Sequence, residues 1–491
     1  MLNILLPDFR VIAPELILTA TAFAIILWEM ITRSRSHTAS ASMAVFGSVA
    51  ALAATAATWN LELSTFGDSL VLDPYASFFK IIFLMGLILS VSLSLKFVQE
   101  SGTREHSEYY ALMVMATVGM MVMAMGRELI TIFLGLELLS MPLYILAGFY
   151  KKDTLSNEAG FKYFVLGSFA TGIMLFGMSY IYGVSGSTHL KIIARTIQDH
   201  PSVFSDKALF VGVLLVLVGF GFKISVVPFH QWTPDVYQGA PTPVTAFMSA
   251  GPKAAGLAAL IRIFVEATPR MGQEWELIVS ILAVLTMTVG NLTALAQTNL
   301  KRMLAYSSIA HVGYILIALV ASVGGHADRA FSAIMFYLLA YTFMNIGAFG
   351  ILVFMKREAI SNENLDDFVG LSWRSPGAAL AMLVFLFSLA GIPPTAGFAA
   401  KLSVFFAAIQ GEYYWLAIIG ILNSAVAAYY YLRVVVYMYM REPEGAFSKA
   451  SSSPFLWTGI ALALAGTIVL GILPGSFLEK ARVAVSILLG A

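Results

Sequence analysis

Stretches of about 20 predominantly apolar residues recur along the whole chain and constrain its fold more than any other feature. As a helix, each stretch is long enough to cross the roughly 30 Å hydrocarbon core of a bilayer. Charged residues make up only 12% of the 491 residues, whereas soluble proteins carry about 25%. The sequence therefore predicts an all-α polytopic membrane protein.

We predict about fourteen transmembrane helices from these stretches. Their approximate cores are 11–32, 41–60, 74–96, 108–125, 128–150, 160–184, 208–228, 242–265, 277–297, 303–323, 330–355, 377–410, 413–440 and 454–475. The twelfth stretch is too long for one straight helix. No flexible linker separates the stretches, so we expect residues 1–491 to form a single membrane domain.

The distribution of lysine and arginine predicts the orientation of the chain in the membrane. An even number of spans places both termini on the same side. Loops on one side are richer in these cations than loops on the other, where the stretch 61–73 has none. The richer loops are 33–40, 97–107, 151–159, 298–302, 356–376 and 441–453. By the positive-inside rule we expect both termini outside. The basic segment 185–207 suits an amphipathic piece on the membrane surface.

Several classes of chemistry are excluded by composition. The chain has no cysteine, which rules out cysteine-ligated iron–sulfur clusters and thiol catalysis on this polypeptide. It also has no Walker loop, no glycine-rich dinucleotide fingerprint and no metal-ligand spacing. Its net charge of +1 does not indicate nucleic-acid binding. We therefore expect no cofactor, metal or redox site here, and any redox reaction should occur on another polypeptide.

Four ionisable residues interrupt the apolar stretches where a charge is costly. They are Glu137 in span five, Lys223 in span seven, Lys253 in span eight and Lys401 in span twelve. A charge at the centre of a span costs about 2.5–3.5 kcal/mol on insertion scales, so such residues are usually functional. Burial disfavours the charged form of a lysine, which can then take up and release a proton. We predict a proton path in which Glu137 pairs with Lys223 or withdraws from it. A static ion pair that only fixes packing is the alternative.

Two of these lysines lie beside breaks in their helices. Lys223 lies about five residues before Pro228, and Lys401 follows the paired prolines of GIPPTAG. Proline leaves the carbonyl four residues earlier without its helical partner, and here these include the carbonyls of Ile224 and Ala390. We therefore predict that helices 7 and 12 are discontinuous.

The two breaks also indicate internal symmetry. Interrupted helices at matching places in two halves point to inverted repeats with a site at the break. We expect antiporter-like repeats at approximately 108–266 and 277–440, flanked by helices 1–3 and 14.

Two further ionisable residues are candidates for the same path. His311 shares one helical stripe with Ser307 and Tyr314, and histidine titrates near neutral pH, so it suits a proton relay. The stripe equally suits hydrogen bonds that hold membrane helices together. Lys162 lies a turn inside span six and either biases Glu137 or extends to the inner surface.

Other ionisable residues have positions that indicate structural roles. Lys80 and Arg262 lie near outer helix ends, and we expect them at the interface, with Glu15 wetted. In the connector PFHQWTPDVYQGAPTP, His230 and Asp235 lack the spacing of a metal or nucleophile site. We expect these two to hold a rigid re-entry into span eight at a water entrance.

The same connector carries a family resemblance. The string FKISVVPFHQWTPDVYQGAPTPVTAF resembles subunit N of respiratory complex I (NADH–quinone oxidoreductase), the counterpart of mitochondrial subunit 2 and of its chloroplast NDH homologue. NLKRMLAYSSIAHVGY and GIPPTAGFAAK are similar to the same family, and the resemblance covers essentially the whole chain. Subunits M and L and Mrp-type antiporters share the broken-helix lysine plan but differ around WTPD. Subunit M tends to carry glutamate where this chain has Lys401.

This resemblance implies a proton-translocating membrane-arm subunit without a cofactor of its own. NADH oxidation and quinone reduction, with FMN and iron–sulfur clusters, would occur on partner subunits. The neighbours would be subunit M, the small membrane subunits and membrane lipids, in a bacterial inner (plasma) membrane rather than an organellar one. By motif position, the family's charged residues of spans five, seven, eight and twelve correspond to Glu137, Lys223, Lys253 and Lys401.

Two alternatives remain for the function. An Mrp-type cation/proton antiporter subunit would use the same buried charges. A structural membrane-arm subunit would use them only to specify assembly.

Overall fold

Apolar helices make up most of the computed structural model, which describes residues 7–32, 37–100, 106–199, 207–269, 271–355, 363–442 and 453–490. Thirteen helices in these ranges are long and apolar enough to cross a membrane. The prediction of a polytopic helical membrane protein is therefore confirmed.

The first part of the chain forms seven helices and a small hairpin. They are α1 (Ala13–Thr32), α2 (His37–Ala57), β1 (Leu63–Thr65), β2 (Leu70–Leu72), α3 (Pro74–Glu100), α4 (His106–Met125), α5 (Leu129–Ala147), α6 (Thr154–Ser185) and α7 (Leu190–Asp199). The antiparallel hairpin pairs Leu63 with Leu72 and was not predicted. Its two strands have three residues each, too few for periodicity to reveal. Helix α7 buries Leu190, Ile193 and Ile197 on one face, as expected of an amphipathic surface segment.

The second part of the chain is helical apart from short connections. Its helices are α8 (Lys207–Ile224), α9 (Trp232–Gly239), α10 (Thr242–Glu266), α11 (Gly272–Leu295), α12 (Leu300–Ala321), α13 (Ala327–Met355), α14 (Leu371–Arg374), α15 (Pro376–Ala390), α16 (Ala396–Gln410), α17 (Tyr414–Met440), α18 (Pro454–Ile472) and α19 (Pro474–Leu489). Helix α19 follows the fourteenth predicted stretch and was not predicted.

Helices α3, α10, α12 and α13 form the buried centre of the molecule, whereas α1, α2, α6, α17 and α18 bury only about a third of their residues or fewer. Small residues allow close packing between helices. A Cβ added at Gly290 of α11 would lie 2.7 Å from the Ala310 backbone nitrogen of α12, closer than two such atoms can approach. Glycine at this crossing therefore brings the two backbones together, as is common in membrane helix pairs.

Two helices, α15 and α16, occupy the place of the predicted twelfth span. Helix α15 ends where Gly391 adopts a φ of 89°, and the next helix starts at Ala396. Similarly, α8 ends at Ile224 and is followed by Ser225, which has a φ of 68°. That each break interrupts one membrane crossing stays a prediction.

The proline inside α10 has a different effect. Pro252 lies within α10, which continues without interruption from Thr242 to Glu266. The carbonyl that Pro252 deprives of its helical partner is that of Met248. This oxygen accepts a hydrogen bond from the Tyr237 hydroxyl at 3.3 Å. The helix therefore tolerates the proline because a neighbouring side chain replaces the lost donor.

Candidate functional site

Lys223 is buried at the end of α8 and meets two hydroxyl groups. Its Nζ donates to Ser140 Oγ of α5 at 2.8 Å and to the Tyr163 hydroxyl of α6 at 3.4 Å. Hydroxyls can both donate and accept. The amine is therefore held by groups that can accept from the charged form and donate to the neutral one.

The connector after α8 stabilises this helix end. The Trp232 indole donates to a carbonyl in the last turn of α8 at 3.0 Å, and the Thr233 hydroxyl donates to Ser225 Oγ at 2.8 Å. Trp232 also stacks on Tyr163 with ring centroids 4.5 Å apart. Tyr163 therefore contacts both the connector, through Trp232, and Lys223.

Glu137 does not form a direct ion pair with Lys223 in this structure. It is half-buried on α5, and its Oε1 has no hydrogen-bond partner among the residues that the structure describes. Lys223 donates instead to Ser140, which lies one turn further along α5. Glu137 is still close enough to act electrostatically on the lysine. The predicted contact between Glu137 and Lys223 is therefore absent from this structure, and the lysine binds a hydroxyl instead.

Lys253 lies in the buried centre on α10. Its Nζ donates to Ser308 of α12, at 2.7 Å to Oγ and 3.2 Å to the carbonyl oxygen. The ammonium also lies 5.7 Å from the ring centroid of Tyr237. Within the described part of the chain, no carboxylate pairs with it.

Lys401 lies beside the break between α15 and α16. Its Nζ donates to the Ala390 carbonyl at 2.9 Å and to Ser424 Oγ at 2.7 Å. The Ala390 oxygen is one that the prolines deprive of a helical donor, so the lysine uses the group freed by the break. A Cβ added at Gly391 would lie 2.9 Å from Lys401 Cδ. Glycine at this turn therefore leaves room for the lysine side chain.

His311 lies on α12 between hydroxyl groups of two other helices. Its Nδ1 is 2.6 Å from the Tyr337 hydroxyl of α13, and its Nε2 is 3.2 Å from the Tyr431 hydroxyl of α17. Tyr431 is also hydrogen-bonded to Ser307. The imidazole therefore links α12, α13 and α17 through groups that can exchange protons.

Helix α12 places polar side chains between Lys253 and Lys401. Along α12, Ser308 binds Lys253, His311 follows one turn later, and Tyr314 comes one turn after that. The Tyr314 ring centroid is 4.9 Å from Lys401 Nζ and 5.8 Å from the His311 ring. Successive turns of α12 therefore carry polar groups from one lysine towards the other.

Lys162 lies apart from this line, with 36% of its side chain exposed. Its Nζ lies 2.7 Å from Asp235 Oδ2 and 2.6 Å from Glu158 Oε1. The structure thus pairs Lys162 with the partly exposed carboxylates of Glu158 and Asp235. That Lys162 extends to the inner membrane surface stays a prediction.

Asp235 joins two helices near this surface. Its carboxylate accepts from Lys162 of α6 and from Arg302 of α12, both at 2.7 Å. Burial raises the pKa of the Asp235 carboxyl, but the hydrogen bonds from the two cations outweigh this effect and leave the pKa below its usual value. Asp235 therefore stays ionised and bound to Lys162 and Arg302 at neutral pH.

Lys80 and Arg262, expected at the membrane interface, and Glu15, expected to be wetted, are all buried within the protein, so their expected contact with water was wrong. Lys80 is fully buried and lies 2.8 Å from Glu15, which is buried as well. Arg262 is fully buried and binds Asp73 at 3.0 Å and Glu266 at 2.8 Å. Position near a helix end suggested exposure, but helices packed from elsewhere in the chain cover these ends.

Comparison with known proteins identifies the family. A family model described as NADH:quinone oxidoreductase/Mrp antiporter, TM, matches residues 126–427. NADH-quinone oxidoreductase subunit N of Trichlorobacter lovleyi is 48% identical over 481 residues, covering 98% of each chain. The protein of the same name from Chloroflexus aggregans is 43% identical over 95% of each chain. The chain belongs to the subunit N family of NADH–quinone oxidoreductases.

Solved structures contain chains with a similar fold. The chain is similar to one in respiratory complex I from Thermus thermophilus with bound Aureothin, with 34% identity and a TM-score of 0.80 over 96% of this chain and 99% of that one. A chain of the Mrp complex from Dietzia sp. has a TM-score of 0.84 over 98% of each chain. Its identity is only 20%, so this likeness shows the fold alone.

The sequence did not predict the serines that bind the three buried lysines Lys223, Lys253 and Lys401 in this subunit N family member. Ser140, Ser308 and Ser424 each bind one lysine ammonium. Serine is common in membrane helices, so a serine by itself gives no signal. The one available clue was that Ser140 lies three residues after Glu137, on the same helical face.

Proposed function

We propose that this chain is a proton-translocating membrane-arm subunit of NADH–quinone oxidoreductase, respiratory complex I. The observation that carries the proposal is that three lysines buried in apolar helices are each held by hydroxyls or carbonyls and, among the residues described, none by a carboxylate. An ammonium without a fixed counter-ion in a low-dielectric interior readily loses its proton. Membership of the subunit N family supports the proposal.

The chemistry of electron transfer belongs to partner subunits in this proposal. NADH oxidation and quinone reduction occur there, on FMN and iron–sulfur clusters, and this chain acts as a non-redox subunit of the translocase. Its neighbours are the antiporter-like subunit M, the small membrane subunits and membrane lipids. It lies in a bacterial inner (plasma) membrane with both termini outside, as the cation-rich loops predict.

We further propose two inverted repeats, at approximately 108–266 and 277–440. In the first, α8 ends beside Lys223; in the second, α15 ends beside Lys401. Each break thus has one buried lysine next to it, which is the arrangement expected where a site lies between repeats.

The proposed path begins on the inner side, near the α8 break. When Glu137 approaches, it stabilises the charged form of Lys223; when it withdraws, the lysine releases its proton. Hydroxyl groups and water carry the proton to Lys253 and then along α12, by Ser308 and His311, to Lys401. From there the proton leaves outward or passes to a neighbouring subunit. Conformational or electrostatic changes in partner subunits drive the movement of Glu137.

Lys253→Ala tests the path at its centre. We expect assembly to be retained, because Ser308 also donates to the Ala305 carbonyl at 2.8 Å and keeps that partner. NADH-driven proton pumping should fall about tenfold, which corresponds to about 1.4 kcal/mol in the limiting barrier. Pumping by inverted membrane vesicles, normalised to assembled complex, measures the effect. The exposed Lys191 provides the control variant Lys191→Ala, and full activity of Lys253→Ala would remove that residue from the path.

Transport by the isolated chain separates complex I from the antiporter alternative. The proposed function predicts no proton or cation exchange by the purified chain in liposomes, and activity only within an NADH-oxidising assembly. Exchange by the chain alone would favour an Mrp-type antiporter. Variants of the buried lysines that block assembly but pump normally when assembled would favour a purely structural subunit.

A further inference from the structure

The short helix α9 lies against the surroundings of both Lys223 and Lys253. Trp232, at its start, stacks on Tyr163, whose hydroxyl accepts from Lys223. Tyr237, on its second turn, places its ring 5.7 Å from the Lys253 ammonium. One eight-residue helix therefore contributes an aromatic side chain to the environment of each lysine.

Cationic side chains from two other helices, α6 and α12, bind α9. Asp235 accepts from Lys162 of α6 and from Arg302 of α12, both at 2.7 Å. Lys301 of α12 donates to the Ala240 carbonyl, just beyond the end of α9, at 2.7 Å. Lys162 and Arg302 are partly exposed, whereas Lys301 is buried. The helix is thus tethered by cations of two helices while its aromatic side chains reach inward.

Asp235 is the residue whose neutralisation would release α9 from α6. It is the one acidic residue in the α9 sequence WTPDVYQG, and 33% of its side chain is exposed. Its loss would leave neither cation alone, because Lys162 also pairs with Glu158 at 2.6 Å. Arg302 also donates to Gln238 Oε1 at 2.9 Å. Neutralising Asp235 should therefore free α9 from α6 without stranding a buried charge.

We propose that Asp235 is the positioning residue of an inner gate formed by α9. While Asp235 bridges α6 and α12, α9 covers the end of α8 and separates Lys223 and Lys253 from the inner surface. When the bridge opens, α9 moves and water reaches both lysines. The gate rests on the proposed function, since it controls access to groups that carry protons there.

A thiol placed beneath α9 reports whether the gate is closed. Ser225 is fully buried and accepts a hydrogen bond from Thr233, and the chain has no cysteine of its own. In the assembled complex, Ser225→Cys is exposed to a membrane-impermeant maleimide added to inside-out vesicles, and labelling of this subunit is followed with time. Adding Asp235→Asn should raise the labelling rate about fivefold, as expected for loss of a half-exposed ion pair. The number of protons pumped per NADH oxidised should fall in the same vesicles.

Asp328→Asn is the matched control in the Ser225→Cys background. Asp328 is 30% exposed and pairs with Arg482 at 3.1 Å, on α13 and α19 rather than α9. We expect it to change neither labelling nor pumping. Unchanged labelling in Asp235→Asn would overturn the gate. Faster labelling with normal pumping would also overturn it, while leaving the proposed function intact.

If the Asp235→Asn variant fails to assemble, two other variants test the gate. Lys162→Met and Arg302→Gln each remove one arm of the bridge from the opposite side. The gate predicts faster labelling in both, and unchanged labelling in both would overturn it. The Lys253→Ala experiment tests the proposed function separately, because maleimide labelling does not depend on proton transport.

Discussion

Replacing Lys223 by alanine should leave the complex assembled but reduce NADH-driven proton pumping about tenfold or more, a rise of at least about 1.4 kcal/mol in the limiting barrier. The fold should survive because Ser140, which accepts from Lys223, also donates to the Leu136 carbonyl at 2.6 Å. Trp232 and Thr233 secure the end of α8 without using the lysine. The loss should therefore fall on transport, and pumping by inverted vesicles measures it.

The Lys223→Arg variant distinguishes a lysine that carries protons from one that only supplies a fixed positive charge. Arginine keeps the positive charge but cannot release its proton at physiological pH. If Lys223 only fixes packing through its charge, the arginine variant should pump better than the alanine variant. If it carries protons, both variants should fail. Lys480→Ala, at an exposed position on α19, is the control, and normal pumping by Lys223→Ala in assembled complexes would reject the role.

Arg262→Met should prevent stable assembly. Arg262 is fully buried and pairs with Asp73 and Glu266, which are themselves almost fully buried. Removing one partner of such a network leaves uncompensated charge and costs about 3–5 kcal/mol, a large share of the about 5–15 kcal/mol that stabilises a typical protein. The amount of this subunit in purified complex, and its thermal unfolding in detergent, measure the effect.

A neutralised triple variant identifies the cause of that loss. Combining Arg262→Met with Asp73→Asn and Glu266→Gln removes the stranded charges and should restore part of the assembly. Arg482→Met is the control, because its ion pair with Asp328 is exposed and such pairs contribute about 0–1 kcal/mol. Normal assembly of Arg262→Met would show that this buried ion-pair network is not needed for assembly.

Most of the fold followed from local properties of the sequence. A helix long enough to cross a bilayer needs only an apolar stretch of sufficient length, so the spans were predictable. The paired prolines before Lys401 similarly fixed the end of α15 near Ala390, because proline acts on its own helix. The hairpin at Leu63–Leu72 and the last helix, α19, were missed. The strands are too short to show periodicity, and α19 directly follows an apolar stretch that was assigned as one span.

The sequence by itself determined that Glu137, Lys223, Lys253 and Lys401 interrupt apolar stretches, since this depends only on neighbours in the same stretch. Only the tertiary structure decided what each group meets. Ser140 is 83 residues from Lys223, and Ser308 is 55 residues from Lys253. Lys80 and Arg262 were misplaced for the same reason. Burial and partners are set by how distant helices pack, and the hydropathy of a single stretch does not contain that information.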